Sequence, residues 1–445
     1  MIGNNVDKTQ HKLFSTLDEL LNPKHPLFAL GNRIDWSEFD SCFKDYYSTK
    51  GRPAKPIRLM VSLLLLKQMY DLSDEGVVEQ WVQNPYFQYF SGENVFQWVF
   101  PCAPSDLVHF RKRIGESGVQ KILKVSIDIH GNAAHEQTVI ADTTVQEKNI
   151  TFPTDIKLHS KIINKCNEMA EKEHIILRQS YKRTTKALLL AQRFKTHPKT
   201  GQKALRAQKK LRTIAGRLCR ELRRKLSQDS LLRYKNALEL YEEVLKQKKT
   251  DNNKIYSLHE PDVYCISKGK DHKKYEFGSK VSILVTKDSG IIVGALSLDT
   301  NLYDGHTLPQ ALQQYETLMN KRPGEVIADR GYKGRKFIEQ TIISTPTNGC
   351  KSLSANEKRK IRDKFRRRAS IEPVIGHLKS DTKLKRNYLK GLQGDKINAM
   401  LAAAAFNFRK WMRKFFAPLK NLFQYLKRSV YIRVYFKYGC LNNTF

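Results

Sequence analysis

The 445-residue sequence has little cysteine, no long apolar run and few acidic residues for its many basic ones. Its seven cysteines stand apart and form no Cys-x-x-Cys pair, which argues against a disulfide scaffold and a zinc ribbon. The longest apolar runs, residues 63–66 and 402–406, are too short to span a bilayer. No basic-then-apolar leader stands at the N-terminus. We therefore expect a protein of the reducing cytoplasm.

The excess of basic residues is concentrated in two blocks. The chain has 79 Lys and Arg against 44 Asp and Glu, a net charge of +35. Residues 176–250 carry 22 basic and 5 acidic side chains and residues 351–445 carry 24 and 5, whereas residues 1–140 carry 15 and 16. Two separate basic blocks favour a long polyanion as partner, because binding phosphates releases counterions. An anionic membrane is the competing partner, but basic membrane helices usually carry aromatic and leucine side chains opposite the charge, so nucleic acid is preferred.

Residues 1–130 are predicted to be helical. Apolar residues recur at spacings of three and four in 36–46, 57–70, 74–83 and 106–114, and Ser73 and Ser105 stand at expected N-cap positions. Short helices joined by turns suit a module of the helix-turn-helix kind, and they also suit a plain helical bundle that supports the core. The sequence leaves both interpretations open.

After residue 136 the pattern changes to short apolar runs, which predict strands. They cover residues 137–142, 277–286, 291–299 and 325–329, with a weaker candidate at 340–345. A helix is predicted over residues 308–319, with Thr307 as its N-cap. Strands mixed with helices and ending at acidic residues indicate an α/β sheet whose functional side lies at the strand ends.

A long basic helical insertion, at about residues 155–250, separates the first two predicted strands. Apolar residues follow helical spacing over 207–226 and again over 231–245. The two apolar stripes flank residues 227–230 and predict an antiparallel helical hairpin with Lys and Arg on its outside. Asp155 is expected to cap the start of the insertion.

Three carboxylates are the strongest candidates for chemistry. Asp142 and Asp329 each end an apolar run with the same four residues, Val-Ile-Ala-Asp, and Glu372 stands at the start of a helix that Ser370 can cap. Pro373 is compatible with the first turn of that helix. Carboxylates that converge from strand ends and a neighbouring helix suit two Mg²⁺ ions, which bind hard oxygen ligands and keep several waters. Two such ions can stabilise the attacking and leaving oxygens of a phosphodiester displacement.

Other polar residues have simpler interpretations. Asp304 and His306 precede a predicted helix and are expected to form a turn, with a role at the edge of the site as the alternative. His377 is expected to face away from Glu372 by helical spacing. The sequence contains no Ser-His-Asp arrangement, phosphate-binding Walker loop or zinc-ligand spacing.

Several motifs occur together along the chain. They are Asp142-Thr143-Thr144-Val145 followed by Phe152-Pro153-Thr154-Asp155, then Asp329-Arg330-Gly331-Tyr332-Lys333-Gly334, and an arginine-rich stretch that leads into Ile371-Glu372-Pro373-Val374-Ile375-Gly376-His377-Leu378-Lys379. Gly391, Asn398 and the Arg52-Pro53 region also fit. In combination, and over nearly the whole chain, they resemble a DDE-type transposase of a bacterial insertion sequence, close to the insertion-sequence-five family.

The signature of that family around its Glu is Tyr, two residues, Arg, three residues, Glu, six residues and Lys. Arg368, Glu372 and Lys379 match this spacing, whereas Phe365 stands where the family has Tyr, so the ring is retained and the hydroxyl is lost. The resemblance implies that Arg368 and Lys379 contact DNA near the scissile phosphate. Arg330 and Lys333 are further expected DNA contacts.

The resemblance also implies a fold and a set of partners. The expected fold is α/β, a ribonuclease-H-like catalytic core with a helical insertion, preceded by an all-α N-terminal domain and followed by C-terminal helices. The expected domains are residues 1–130, residues 131–350 with the insertion, and residues 351–445 with the catalytic Glu. Asp142, Asp329 and Glu372 would be catalytic and would hold two Mg²⁺ ions, with Mn²⁺ as a substitute. Double-stranded DNA is the expected partner, and a homodimer is expected because two element ends must be joined.

The sequence therefore predicts a transposase that cleaves the ends of a transposable element and transfers the 3′-OH strand into target DNA. A nuclease of the same fold and a catalytically silent DNA-binding relative remain the alternatives. An RNA-binding protein is a third alternative, but the aromatic sheet motif of common RNA-binding modules is absent from the sequence. The expected location is the bacterial cytoplasm, in association with the nucleoid.

Overall fold

The computed structural model describes residues 16–48, 50–51, 53–193, 195–248, 250–270, 273–346 and 354–416. The chain divides into two compact units. The first unit contains the described residues of Met1–Gln146 and Lys280–Phe445, and the second contains those of Glu147–Ser279. Each unit has its own apolar core. The protein is a mixed α/β structure, as the sequence predicts.

The N-terminal part of the first unit is helical, as expected. Val77 and Trp81 of its fifth helix are buried, and Ser73 caps that helix by accepting a hydrogen bond from the Gly76 amide at 2.9 Å. Arg52 of the predicted Arg52-Pro53 motif lies outside the described residues. In chain order the helices are α1 (Leu17–Leu20), α2 (Pro26–Arg33), α3 (Trp36–Phe43), α4 (Ile57–Met69), α5 (Asp74–Gln83), α6 (Pro85–Phe90) and α7 (Pro104–Asp128).

The expected cap of α7, Ser105, is wrong. The helix begins at Pro104, one residue before Ser105, and Ala103 occupies the N-cap position. Proline has no amide hydrogen that would need a partner in the first turn. The Ala103 amide donates to the Asp106 carboxylate at 3.0 Å, so this acid replaces the missing cap side chain. Gly115, at φ 59°, interrupts α7 directly after the predicted segment 106–114, because left-handed backbone is easiest for glycine.

The central elements follow in chain order. They are β1 (Thr138–Lys148), α8 (Asp155–Lys172), α9 (Lys182–Leu190), α10 (Pro198–Lys225), α11 (Gln228–Lys246), β2 (Tyr264–Lys270), β3 (Lys273–Thr286), β4 (Ile292–Ser297) and α12 (Asp304–Met319). Helices α8 to α11 confirm the predicted helical insertion, and α10 and α11 confirm its hairpin around residues 227–230. The core of the second unit is built from buried residues of these helices, including Leu158, Ile162, Leu211, Leu218 and Leu238.

The C-terminal elements complete the first unit. They are β5 (Glu325–Ile327), β6 (Phe337–Ile338), β7 (Thr341–Ser344), α13 (Ala355–Arg368), α14 (Ile371–Asp381), β8 (Arg386–Asn387) and α15 (Gly391–Met412). The predicted strands at 325–329 and 340–345 are thus confirmed, with shorter bounds. No helix in the described segments combines the length and the apolar character needed to cross a bilayer.

The sheet is mixed. Strands β3, β1, β5, β7 and β6 are neighbours in that order, β4 pairs with β3, and β8 pairs with β1. The pairs β1–β5 and β5–β7 are parallel, whereas β3–β4 and β6–β7 are antiparallel. The interior strand β5 is buried at Val326 and Ile327, and β1 at Val139, Ile140 and Ala141. Continuous apolar runs are typical of strands covered on both faces, which is why these runs are recognisable in the sequence.

Helix α15 is the alanine-rich helix at the centre of the first unit. Most of its residues from 397 to 408 are buried, because small side chains permit close packing against α7, β4 and α4. Asn407 joins this helix to β4: its side-chain oxygen accepts from the Ile292 amide at 3.0 Å and its NH₂ group donates to the Ile292 carbonyl at 2.9 Å. Because the buried Asn407 side chain bonds both the amide and the carbonyl of Ile292, it fixes the register of the helix on the sheet.

Three further cap assignments differ from the expected ones. Helix α12 begins at Asp304, and the hydroxyl of Thr307 donates to the Asp304 carbonyl within the first turn, so Thr307 is not its cap. Thr154 caps α8 and Asp155 is the first helical residue. Ser370 precedes α14 but has helical backbone angles and makes no side-chain cap bond, because α13 ends only two residues earlier.

Candidate active site

Asp142 and Asp329 lie at equivalent positions of two adjacent strands. In the parallel pair β1–β5, Val139 is opposite Val326 and Ile140 is opposite Ile327. Two residues further along the chain come Asp142, which lies within β1, and Asp329, which lies beyond the end of β5. The Val and Ile residues of the repeated Val-Ile-Ala-Asp segments are therefore in register, which brings the following Asp142 and Asp329 to neighbouring positions of the two chain segments.

Local hydrogen bonds orient both carboxylates. Asp142 Oδ1 accepts from the Thr143 amide at 2.7 Å, and Asp329 Oδ1 accepts from the Gly331 amide at 2.8 Å. The Asp329 bond closes the 3-10 turn Arg330–Tyr332. A Cβ atom on Gly331 would lie 3.0 Å from Asp329 Oδ1 and 3.3 Å from Asp304 Oδ2, so a larger residue there would crowd both carboxylates.

Asp304 is a third carboxylate near Asp142 and Asp329, whereas the sequence favours a simple turn for it. Its Oδ1 accepts from the Thr143 hydroxyl at 2.9 Å and from Lys280 Nζ at 3.0 Å. Lys280 is 11% exposed and Asp304 is 31% exposed, so the ion pair is largely shielded from water. The structure therefore adds Asp304, Lys280 and Thr143 to the site. The sequence signals for them are weak: Asp304 is an acid at the start of a helix, and Thr143 belongs to the Asp142-Thr143-Thr144-Val145 motif.

Tyr332 reports on the negative charge of the site. It is buried, with 2% of its surface exposed. Burial, followed by the charges of Asp142, Asp304 and Asp329, raises the pKa of its hydroxyl well above the usual value. The charges of all three carboxylates therefore act on the same buried phenol.

Glu372 lies on a different element. Helix α14 buries Ile371, Val374 and Leu378 against the core, which leaves Glu372 on the outward face with 66% of its side chain exposed. Its carboxylate lies 3.9 Å from Arg368 Nη2, at the end of α13. Seven residues separate Glu372 from the half-buried Lys379, so both occupy one face of the helix.

The donor chemistry of the paired aspartates fits a divalent cation. Among the described residues, no three His, Cys, Asp or Glu side chains are grouped closely enough to hold a metal ion, so the structure does not assemble Glu372 with Asp142 and Asp329. Magnesium, however, is commonly bound by one or two carboxylates together with waters and substrate phosphates. Two oriented carboxylates at neighbouring positions provide such a set of hard oxygen donors.

Basic side chains follow the second aspartate. Arg330 and Lys333 are both exposed in the turn after β5, and Arg368 ends α13. Helix α13 is joined to the start of β5 by an ion pair between Lys364 and Glu325, and Phe365 packs against the main core. The ring of Phe365 thus performs a packing role that does not require the hydroxyl of the Tyr found in the family pattern.

The remaining predicted polar residues take other positions. His306 is exposed in the first turn of α12, where its ring contacts Tyr303. His377 is exposed, and its Nδ1 is 3.0 Å from Asp381 Oδ2 on the same helix.

Two family models match the chain. The model described as "Transposase domain (DUF772)" matches residues 15–113, and the model described as "Transposase DDE domain" matches residues 259–408. The second match contains Asp304, Asp329, Glu372 and Lys379, whereas Asp142 lies between the two matched segments.

A protein of Rhizobium meliloti is also similar to the chain. It is described as "Uncharacterized protein ORF8 in nfe locus" and is 44% identical over 184 residues, which are 40% of the present chain and 89% of that protein. No solved structure matches the chain.

Proposed function

The chain belongs to the DDE transposases, polynucleotidyl transferases that act on DNA, and we propose that it cleaves the ends of its own insertion sequence and transfers the resulting 3′-OH strand into target DNA. The observation that carries this proposal is the parallel register of Val139 with Val326 and of Ile140 with Ile327, the residues that lead into Asp142 and Asp329. This strand pairing brings together two motif residues, Asp142 and Asp329, that are 187 positions apart in the sequence.

Asp142, Asp329 and Glu372 are the proposed catalytic residues and metal ligands. Members of the family generally use divalent metal ions, and the proposed cofactor here is two Mg²⁺ ions, with Mn²⁺ as a substitute. When bound, such ions neutralise charge on the attacking and leaving oxygens of the phosphodiester. Asp142 and Asp329 supply oriented oxygen donors, and the exposed Glu372 is proposed to join them when DNA is bound, since catalytic contacts often tighten only in the substrate complex.

Four basic residues are the proposed DNA contacts of the site. Arg330 and Lys333 follow Asp329 in the chain, and Arg368 and Lys379 flank Glu372. Each catalytic acid outside β1 therefore has cations beside it in sequence. Cations hold the phosphate groups of the substrate close to acidic side chains that would otherwise repel them, Arg in a bidentate geometry and Lys as a point charge.

The finer assignments are proposals as well. They are membership of the insertion-sequence-five family, a ribonuclease-H-like core, and the domains 1–130, 131–350 and 351–445. A homodimer is proposed because joining two element ends in one reaction needs two active sites in one complex. The proposed location is the cytoplasm, at the nucleoid.

A joining assay tests this function directly. The purified chain would be incubated with Mg²⁺, a target duplex and a duplex carrying the terminal repeats that flank its reading frame. We expect cleavage that leaves a 3′-OH, followed by a product covalently joined to the target, and we expect EDTA to abolish both. Cleavage without joining would assign a nuclease, and binding without cleavage would assign a silent DNA-binding relative; either outcome contradicts the proposal.

A further inference from the structure

Helix α10 carries a row of basic residues along one face. Six of them, which we call the basic stripe, are spaced by three or four residues, with Thr213 at the single polar gap: Lys203, Arg206, Lys210, Arg217, Arg220 and Arg224. At 100° per residue they fall within about 100° of arc, and they span roughly 30 Å of helix. All six are exposed. The stripe is therefore about as long as one turn of B-form DNA, roughly 34 Å.

The cations of the stripe, like the nearby Lys209 and Arg212, have no carboxylate within ion-pair distance among the described residues, whereas two cations near the end of α10 do. Arg223 pairs with Glu242 at 2.7 Å and Lys225 pairs with Glu221 at 2.7 Å. Like charges at spacings of three and four destabilise a helix by about 0.2–0.5 kcal/mol per pair. Solubility alone needs net charge but does not need the charge aligned on one face, so the alignment calls for a different explanation.

Three residues of the basic stripe line a groove between α9 and α10. Lys203, Arg206 and Lys210 line a cavity of about 600 Å³ whose other wall is formed by apolar residues of α9, including Ala187 and Leu190. The alkyl parts of long basic side chains pack on such a wall while their charged ends stay in water. Three positive charges therefore lie in a row along this groove, at the surface of the second unit.

We propose that the basic stripe binds the phosphodiester backbone of duplex DNA. The proposal rests on the proposed function, for which it names a second surface acting on the same substrate. A membrane does not fit, because the apolar side of α10, with Leu211, Leu218 and Leu222, is already buried in the core of the second unit. Contacts of this kind depend on salt but hardly on sequence, since phosphates carry no base information.

Fluorescence anisotropy with the full chain tests the stripe. A labelled duplex of about three helical turns would be titrated at salt concentrations from about 50 to 200 mM. The variant Lys203→Gln/Arg206→Gln/Lys210→Gln is expected to bind roughly tenfold or more weakly than wild type, and to lower the slope of log K against log salt by about 2–3. Glutamine is a good helix former, and circular dichroism checks that the fold is kept.

A second triple variant is the matched control. Lys165→Gln/Lys182→Gln/Arg233→Gln removes the same charge from the same unit, but each of these cations already pairs with a carboxylate, at 2.6, 2.7 and 3.2 Å respectively. We expect its affinity to stay within about threefold of wild type, because these three cations lie on α8, α9 and α11, outside the basic stripe.

The outcomes separate this proposal from the proposed function. If the stripe variant binds with wild-type affinity and slope while the wild type still cleaves and joins DNA, the stripe proposal alone fails. An equal loss in both triple variants would overturn it too, because net charge would then explain the binding. Stripe-dependent binding that is tighter for duplex RNA than for duplex DNA would also overturn it. If the wild type neither binds nor cleaves DNA, the proposed function fails.

Discussion

At the scale of single residues, the site is determined by how its acids are held. Asp142 accepts the Thr143 amide within β1, and Asp329 accepts the Gly331 amide in the turn after β5, so the neighbouring backbone orients each carboxylate. Asp304 is held instead by Thr143 and Lys280. An acid that already pairs with a lysine is a weaker ligand for a cation, so Asp304 suits a supporting role.

The Lys280–Asp304 pair leads to a prediction. Asp304→Asn removes the negative partner of a lysine that is 11% exposed, and we expect a loss of about 1–2 kcal/mol in the free energy of unfolding. Adding Lys280→Met to the Asp304→Asn variant is expected to recover part of that loss, because the uncompensated charge is then gone. Chemical denaturation of the four proteins of a double-mutant cycle measures the coupling. Additive effects of the two substitutions would contradict it.

At the scale of elements, α15 contacts the turn after α7 through a histidine, whose charge depends on pH. His130 is 7% exposed, and its Nε2 lies 3.1 Å from the backbone carbonyl of Asn407. Burial lowers the pKa of His130 to about 4, and the positive charges of Lys414 and Lys410 act in the same direction. The neutral ring is therefore the form that the fold accepts.

A pH profile tests this contact. The unfolded chain protonates His130 near pH 6.5, whereas the folded chain does so only near pH 4, so the stabilisation is complete above about pH 6.5 and decreases as the pH falls towards 4. The loss contributed by this residue is expected to be on the order of 2–3 kcal/mol. Denaturation of wild type and His130→Gln between these pH values measures it. Parallel profiles for the two proteins would show that His130 stays protonated and accommodated in the fold.

Elements with strong periodicity were predictable from the sequence, and their ends were less so. The apolar runs before Asp142 and Asp329 form β1 and β5, because buried parallel strands need apolar side chains on both faces. The cap at Ser105 was wrong, because Pro104 and the Asp106 carboxylate start the helix without it. Asp304 could not be placed at the site, because its partner Thr143 is 161 residues away in the chain and no local pattern encodes that contact.

At the scale of the whole molecule, the basic residues behind the net charge of +35 are concentrated in particular helices of the two units. One basic block lies in α9 to α11 of the second unit, and part of the other lies in α13 to α15 of the first. The candidate acids belong to the first unit, on or directly after β1 and β5 and at the start of α14. Cutting is thus assigned to carboxylates in one unit, and a DNA-binding surface is proposed on a helix of the other.

The most direct test of the central claim is strand cleavage by variants of the proposed triad. Single-turnover cleavage of an element-end duplex with Mg²⁺ would be measured for Asp142→Asn, Asp329→Asn and Glu372→Gln, with the exposed Asp288→Asn as control. We predict a loss of roughly a thousandfold or more for each triad variant, because several kcal/mol of transition-state stabilisation are removed, with DNA binding nearly intact. The control is predicted to cleave normally. Wild-type cleavage by any one of the triad variants would contradict the account.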